Sequence, residues 1–569
     1  MDSAFVQIRM RGAGSRLCAL TLGLVAIALP VHAQVAPDAG TTLRELRPRA
    51  LQLPQTAPPT LDAPLPSPAG DAPGELRFRV DAYDFTGITV FTAAELADVV
   101  SDLTGQSLTL AEVQAAARRI TRHYRDRGYL VARAYVPPQE IRDSRVEIAL
   151  LEGRYGQPEL DNRSPVRDEV LERHLARITA NRVIERGQLD RRLLLIRDLG
   201  GVDEVNATLR PGAATGESTL RVEVSAPPRL TGGITADNYG NRFIGRYRLG
   251  GSVDLASPLG LGDQLHVRVL TSGDELQSGM MGYRLPLGVD GLTLQASFMA
   301  VRYELGDEFA ALDASGSAYL PSVALSYPVI RAPRLNVYAR GGADFTSLRD
   351  DTGRPRTSAD RSLWSVFGGA YGDWRDELGG SSVSAFSVNI EAGELDIHSR
   401  TLALVDAATN RTAGAYQKLT YSLLRLQPVR GPVSLSLGLN GQFALQNLDS
   451  AEKMWLGGAT GVRAYPQGEA AGDDGYLANV ELRWQLPALS GLAPVLLAFV
   501  DTGGVQPDRD RLRPGDDWRF LSGTGIGMTL AERHGFELNA AWAWQIGPED
   551  AQADKDRSGR GWILIGKTF

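Results

Sequence analysis

The chain has 569 residues, too many for one ordinary domain, so several folded units are expected. Its net charge of −7 is mild for that length and argues against a nucleic-acid partner. One cysteine and six scattered histidines offer no metal-ligand spacing and no thiol nucleophile, and no G-x-S-x-G turn is present, so the sequence supports neither a metal, a cofactor nor an enzyme.

At the amino end, Arg9, Arg11 and Arg16 precede an apolar stretch from Leu17 to Leu29, too short for an ordinary spanning helix. Val31-His32-Ala33 obeys the small-residue rule for cleavage before Gln34, so residues 1–33 read as a signal peptide. Cys18 lies inside that leader, and the exported chain is expected to have no disulfide. Residues 34–74 hold a short helix candidate, Thr41 to Gln52, weakened by Pro48. An extended Pro-rich linker follows from Leu53 to Gly74, with no core of its own.

Folding is expected from Glu75. "ELRFRVDAYDFTG" reads as a strand, and Thr92 with Glu95 forms a capping box opening a helix to about Thr104. Thr109 with Glu112 opens a second helix, with Leu110, Val113, Ile120 and Tyr124 along one face and Gly128 stopping it. Strands "YLVARAYVPP" and "RVEIALLEG" complete a small α+β module over 75–153. The order strand, helix, helix, strand, strand then repeats over 154–226, where Ser164-Pro165 is expected to cap "VRDEVLERHLARI".

From residue 229 to 569 the pattern becomes alternating segments joined by short and long connections in turn. Seven short turns, among them "SPLGLGD", "IRAP" and "ERHG", imply eight hairpins and sixteen strands. An even, antiparallel count with 62 glycines and 22% charged residues fits a closed outer-membrane barrel, since only alternate residues meet lipid. Sixteen strands would enclose an aqueous lumen. The fold class is therefore a transmembrane antiparallel β-barrel of 16 strands preceded by two α+β modules. The final "GWILIGKTF" matches a phosphate-loop string through Gly561, Gly566, Lys567 and Thr568, yet four strand-forming residues fill its gap and only Phe569 follows. It reads as the last barrel strand, with Phe569 as the terminal aromatic that barrel-insertion machinery reads, and no nucleotide is expected.

Particular motifs sharpen this. "HYRDRGYLVARAYVPPQEI" carries Gly128, Tyr129, Pro137, Pro138 and Gln139. "LGGATGVRAYPQGEAAG" carries Val462, Arg463, Ala464 and Tyr465, and "FVDTGGV" carries Phe499, Asp501 and Gly503. Together, over about residues 75–569, these stretches resemble the two-partner secretion transporters, the haemolysin secretion/activation and filamentous-haemagglutinin transporter family. The family's V-R-G-[YF] has Ala464 in place of its glycine, which a negative φ would accommodate.

The resemblance implies that both modules are POTRA domains in the periplasm of a Gram-negative bacterium, catching an unfolded exoprotein client encoded next door. It implies a sixth outer loop folded back into the lumen, with Arg463 paired to Asp501 on the thirteenth strand. An amino-terminal helix plugs the pore in such proteins, and Leu43 to Leu51 is the candidate here. Exposed strand edges of the modules would receive client by main-chain pairing. Outer-membrane lipid and the barrel-assembly machinery are the other expected partners. The alternative is an assembly factor that inserts other barrels, which shares the modules and a related barrel; a passive porin lacks both modules and the loop motif.

Overall fold

The computed structural model describes residues 36–47, 53, 60–62, 76–180, 183–488, 491–510, 518–532 and 535–569. The expected signal peptide lies outside the described residues, as does most of the Pro-rich linker.

In the first module, strands Arg77–Val80 and Ala82–Thr86 replace the single strand expected, and each belongs to a different sheet. Arg77–Val80 pairs antiparallel with Gln106–Thr109, a four-residue strand that sequence reading missed because it runs straight into the Thr109 cap. Ala82–Thr86 runs parallel to Arg145–Leu151, whose other edge takes Arg133–Tyr135. Both capping boxes form, at Thr92/Glu95 and Thr109/Glu112. The first helix stops at Val99 rather than near Thr104, because Ser101–Leu103 tightens into a 3₁₀ turn and Gly105 adopts φ +79°. Val113, Ile120 and Tyr124 of helix Leu110–Asp126 are fully buried, while Leu110 is exposed at the first turn.

The second module packs helices Asp168–Thr179 and Arg186–Arg197 on strands Val205–Pro211 and Glu217–Val224. Its core gathers Leu171, Leu193, Ile196, Leu209, Leu220 and Val222. Ser164 does not cap the first helix. The Ser164 hydroxyl instead accepts from Val166 N–H (3.3 Å) in a turn, and the helix begins at Asp168 after Arg167. Arg167 N–H is taken by the Gly260 carbonyl of a barrel turn (3.0 Å), so a tertiary contact overrides the local cap. The linker is not wholly without partners: Thr60–Asp62 pairs parallel with Asn206 to Thr208, on the edge of this sheet.

Sixteen antiparallel strands close the barrel, from Leu230–Asp237 to Gly559–Thr568, which pair with each other through Gly233↔Thr568 to Asp237↔Leu564. Alternation decides which side chains face outward: Tyr319, Val323, Leu325 and Tyr327 on one strand and Ile563 and Ile565 on the last are exposed on the outer face. Gly561–Thr568 is thus extended, with Gly561 to Lys567 paired to the fifteenth strand and Leu564 to Thr568 to the first, so the phosphate-loop string has no curled backbone to hold a phosphate. The long connection after the ninth strand contains helix Arg400–Ala408, capped by Ser399 and closed by Asp406 accepting from Thr412 and Ala413 N–H.

Inside the barrel lies helix Ala39–Leu46, against the fifth, sixth and seventh strands, Leu292–Glu304, Ala314–Arg331 and Leu335–Gly353. It is shorter than the expected span and starts earlier. Asp38 supplies the N-cap, accepting from Thr41 N–H (2.8 Å), and Arg47 is extended at ψ 129° because Pro48 disfavours a helical residue before it. Residues 48–52 of the expected helix lie outside the described residues.

Candidate functional site

The connection between the eleventh strand, Val433–Ala444, and the twelfth, Asp474–Gln485, is long enough to choose between solvent and lumen. Its apolar residues decide. Met454, Leu456, Val462, Ala464 and Tyr465 pack on Leu477, Phe499, Val505, Leu521 and Ala543 from the inner faces of the strands that follow. Glycines on that wall make the room: a side chain at Gly503 would meet Leu456 at 2.8 Å, and one at Gly523 would meet the Ala464 methyl at 2.5 Å. Ala464 is not among the positive-φ residues, so the methyl in place of glycine brings no backbone strain.

Folding inward carries Arg463 to the thirteenth strand, Leu492–Gln506. Its Nε lies 2.8 Å from Asp501 Oδ2 and its Nη2 2.7 Å from Oδ1, a bidentate pair, and its backbone N–H donates to the same carboxylate at 3.1 Å. Asp501 is fully buried. The fork's remaining side is taken by Glu481 (Nη1–Oε1 2.7 Å), and the guanidinium carbon sits 3.4 Å from the Phe499 ring centroid. Asn479 Nδ2 donates to Asp501 Oδ1 at 2.8 Å and to the Gly461 carbonyl at 3.3 Å. One guanidinium thus joins two carboxylates and an aromatic face, where an exposed pair would contribute about 0–1 kcal/mol. Val462 and Tyr465 are fully buried beside it, and the Tyr465 hydroxyl donates to the Glu549 carbonyl of the last outer loop at 2.8 Å.

Sequence reading did not single out Glu481 or Asn479. The signal available was the alternation Asn479, Glu481, Arg483, which puts polar side chains on the inner face of one strand. It also missed Arg361, which holds the helix Ala39–Leu46: Arg361 Nη2 contacts Asp38 (3.0 Å) and Asp350 (2.9 Å), and its Nη1 contacts Asp449 (2.7 Å). At the helix's other end Arg47 meets Glu452 at 3.6 Å, and Arg44 donates to the Lys453 carbonyl at 3.3 Å. Asp449, Glu452 and Lys453 belong to the inward loop, so loop and helix brace each other.

The motif of the first module has structural work. Gly128, at φ +96°, accepts from Arg186 N–H (2.9 Å) at the joint between modules. Tyr129 packs edge-on against Phe91 and Tyr124, each 5.8 Å away. Where Pro137 cannot extend strand Arg133–Tyr135 and Pro138 is exposed, the Gln139 amide takes over: its Oε1 accepts from Glu147 N–H (2.7 Å) and its Nε2 donates to the Glu147 carbonyl (2.8 Å). At the barrel seam, Phe569 and Gly232 exchange two backbone hydrogen bonds, at 2.9 and 3.0 Å, and the phenyl ring lies over Gly232.

Among the buried titratable groups of the modules, burial alone would raise the Glu152 carboxyl, but donors from Thr89, Val90 and Tyr124 outweigh it and hold it low. His174, buried with neither ring nitrogen hydrogen-bonded, is pushed down to about 4 by burial and by Arg192 and Arg173.

Residues 78–153 match the model of the POTRA domain, ShlB-type, and residues 216–341 and 388–530 match that of the haemolysin secretion/activation protein ShlB/FhaC/HecB. The heme/hemopexin transporter protein HuxB of Haemophilus influenzae strain 86-028NP is 28% identical, over 97% of this chain and 98% of its own. The outer membrane transporter CdiB of Dickeya dadantii strain 3937 is 25% identical, over 74% of this chain and 75% of its own. In fold, the chain is similar to the solved structure of CdiB from Escherichia coli, with TM-score 0.72 and 20% identity over 90% of this chain and 94% of that one.

Proposed function

The chain belongs to the haemolysin secretion/activation family of two-partner secretion transporters, and from that membership we propose how its parts divide the work. It is an outer-membrane protein that moves a secreted exoprotein through its barrel, with the POTRA module at 78–153 in the periplasm. The second module, over 154–226, is read as a second POTRA domain. Both receive the unfolded client and pass it to the lumen, where the helix Ala39–Leu46 must yield. Membership in this family, rather than among barrel-assembly factors, sets aside the alternative role. HuxB is matched over 98% of its length, and a client tied to heme/hemopexin transport is therefore the cargo this reading favours.

The observation that carries the mechanism is the Arg463–Asp501–Glu481 cluster built on the buried Asp501 carboxylate, which holds the sixth outer loop inside the barrel against the plug helix. A loop in that place keeps the lumen narrow, and its charged anchor gives it one defined seat. The test is a barrel lacking residues 75–226, measured for insertion, ion conductance and export of the exoprotein encoded beside it. Insertion and conductance should persist and export should cease. Export by that barrel would remove the capture role from the modules.

A further inference from the structure

The outer end of the lumen helix Ala39–Leu46 enters a cluster of unequal charge. Arg361, on the eighth strand, Arg356–Asp376, meets three carboxylates at once: Asp38 of the helix cap (3.0 Å), Asp350 of the seventh strand (2.9 Å) and Asp449 of the inward loop (2.7 Å). Helix, wall and loop each supply one acid, and the site is largely buried. Neutral donors complete it: Ala39 N–H (2.8 Å) and the Tyr303 hydroxyl (2.6 Å) on Asp350, Thr41 N–H (2.8 Å) and Ser450 (2.7 Å) on Asp38, and Ala451 N–H (3.0 Å) on Asp449. The other charged side chains nearby are matched elsewhere. Lys453 sits on Asp473 (2.9 Å) and Asp508 (3.1 Å), Glu452 on Lys418 and Arg47, and Asp351 on Arg349 (2.8 Å). Asp406 is held by Thr412 and Ala413 N–H. Among the described residues, one cation therefore serves three acids.

Asp350 and Asp449 belong to wall and loop, so they already outnumber Arg361 before the helix is seated. Asp38 then brings one more negative charge into a buried site that is negative without it. Carboxylates crowded in this way do not all ionise; one keeps a proton. Burial pushes the Asp449 carboxyl up, and with Asp38 beside it the carboxyl stays above the usual range despite the pull of Arg361. A cavity of about 490 Å³ lined by Asp38, Asp350, Arg361 and Asp449 also reaches Leu402 of the outer helix and the half-exposed Asp508, so outer medium supplies the proton. We propose that seating the lumen helix takes up a proton at this cluster, so that acidity outside the cell closes the pore more firmly. Asp38 freed from its seat is an ordinary hydrated carboxylate, and the seated cluster holds the extra proton. Closure therefore strengthens as pH falls from neutral and weakens as pH rises. This inference rests on the reading above, in which the helix must yield for transport, and adds what governs its yielding.

The test records single channels of the full chain in planar bilayers while the outer chamber is taken from about pH 7.5 to about pH 5. Opening frequency should fall about tenfold, the equivalent of one pKa unit between the seated and the free state. Asp449→Asn and Asp350→Asn each remove one of the crowded charges at every pH. Either variant should open at neutral pH as rarely as the parent chain does in acid, and should lose the pH response. Asp508→Asn, in the same cavity but outside the cluster, should keep it. The current carried by each opening reports a folded, inserted barrel. A parent chain indifferent to pH, or a response that survives in both cluster variants or vanishes with Asp508→Asn, would overturn the inference and leave the helix as the plug. A chain lacking residues 36–47 that opens no more often than the parent would remove the plug reading and this inference with it.

Discussion

Trp562 on the last barrel strand donates its indole N–H to the main-chain carbonyl of Arg463, 2.7 Å away. The tip of the inward loop is therefore tied to the strand that closes the ring as well as to Asp501. Trp562 is itself buried and stacks edge-on against Tyr239, 5.9 Å away, in the first outer connection. Loop position and ring closure share one anchor. Replacing Trp562 by Phe should keep the ring packing and lose one buried hydrogen bond, about 1 kcal/mol. The folded band on unheated gels should convert at a lower temperature, and the Arg463 loop should become more accessible to protease. An unchanged conversion temperature would separate the loop from the seam.

Arg463→Ala leaves Asp501 buried without its cation and leaves Glu481 only Arg483 at 3.5 Å, whereas Asp501→Ala leaves Arg463 its Glu481 contact. The arginine loss should thus be the larger, and the double variant should equal Arg463→Ala rather than the sum, with a coupling of about 3 kcal/mol. Both singles should insert, with altered conductance and much reduced export. A charge swap should restore only part of export, because the bidentate fork is not symmetric. Additive losses would mean that the two residues act separately.

Asp38→Ala removes the cap of the lumen helix Ala39–Leu46 and one of the three carboxylates on Arg361. The cap contributes about 1 kcal/mol, so pore openings should become about fivefold more frequent in single-channel records. An unaltered opening frequency would show that the helix does not govern closure.

His174 supplies a pH dependence. Burial and the neighbouring Arg192 and Arg173 lower its folded value to about 4 from the ordinary 6.5, with Asp290 opposing. Between those values the unfolded module binds more protons, so stability falls as pH falls from 6.5 and levels off below 4. The loss should reach about 2 kcal/mol by pH 5, read by denaturant unfolding with a fluorophore on the second module. His174→Leu should flatten the profile; a profile of unchanged slope would assign it to another group.

Gln139→Ala should leave Glu147 N–H and C=O unpaired at the strand edge and destabilise the first module by about 1–2 kcal/mol. Gln139→Asn, one methylene shorter, should not rescue it. Equal stability of all three forms would make the amide incidental to the sheet.

The period-two alternation, the seven short turns and the capping boxes at Thr92 and Thr109 are local chemistry, and the strands and helices they announce are present. The family motifs, rather than residue types alone, marked Arg463 and Asp501, and nothing local makes an outer loop turn inward. That direction comes from Leu456, Val462 and Tyr465 finding a wall hollowed by Gly503 and Gly523, residues 38 to 67 positions away in the chain. Glu481 and Trp562 join the anchor only because three strands and a loop converge there. Tertiary contact likewise overrode the Ser164 cap, since a barrel carbonyl was available to Arg167, and it gave Thr60–Asp62 a partner strand that a Pro-rich linker does not advertise. Periodicity is a property of neighbours along the chain and survives in the sequence; the seats of loop, helix and linker depend on surfaces that exist only after the barrel has closed.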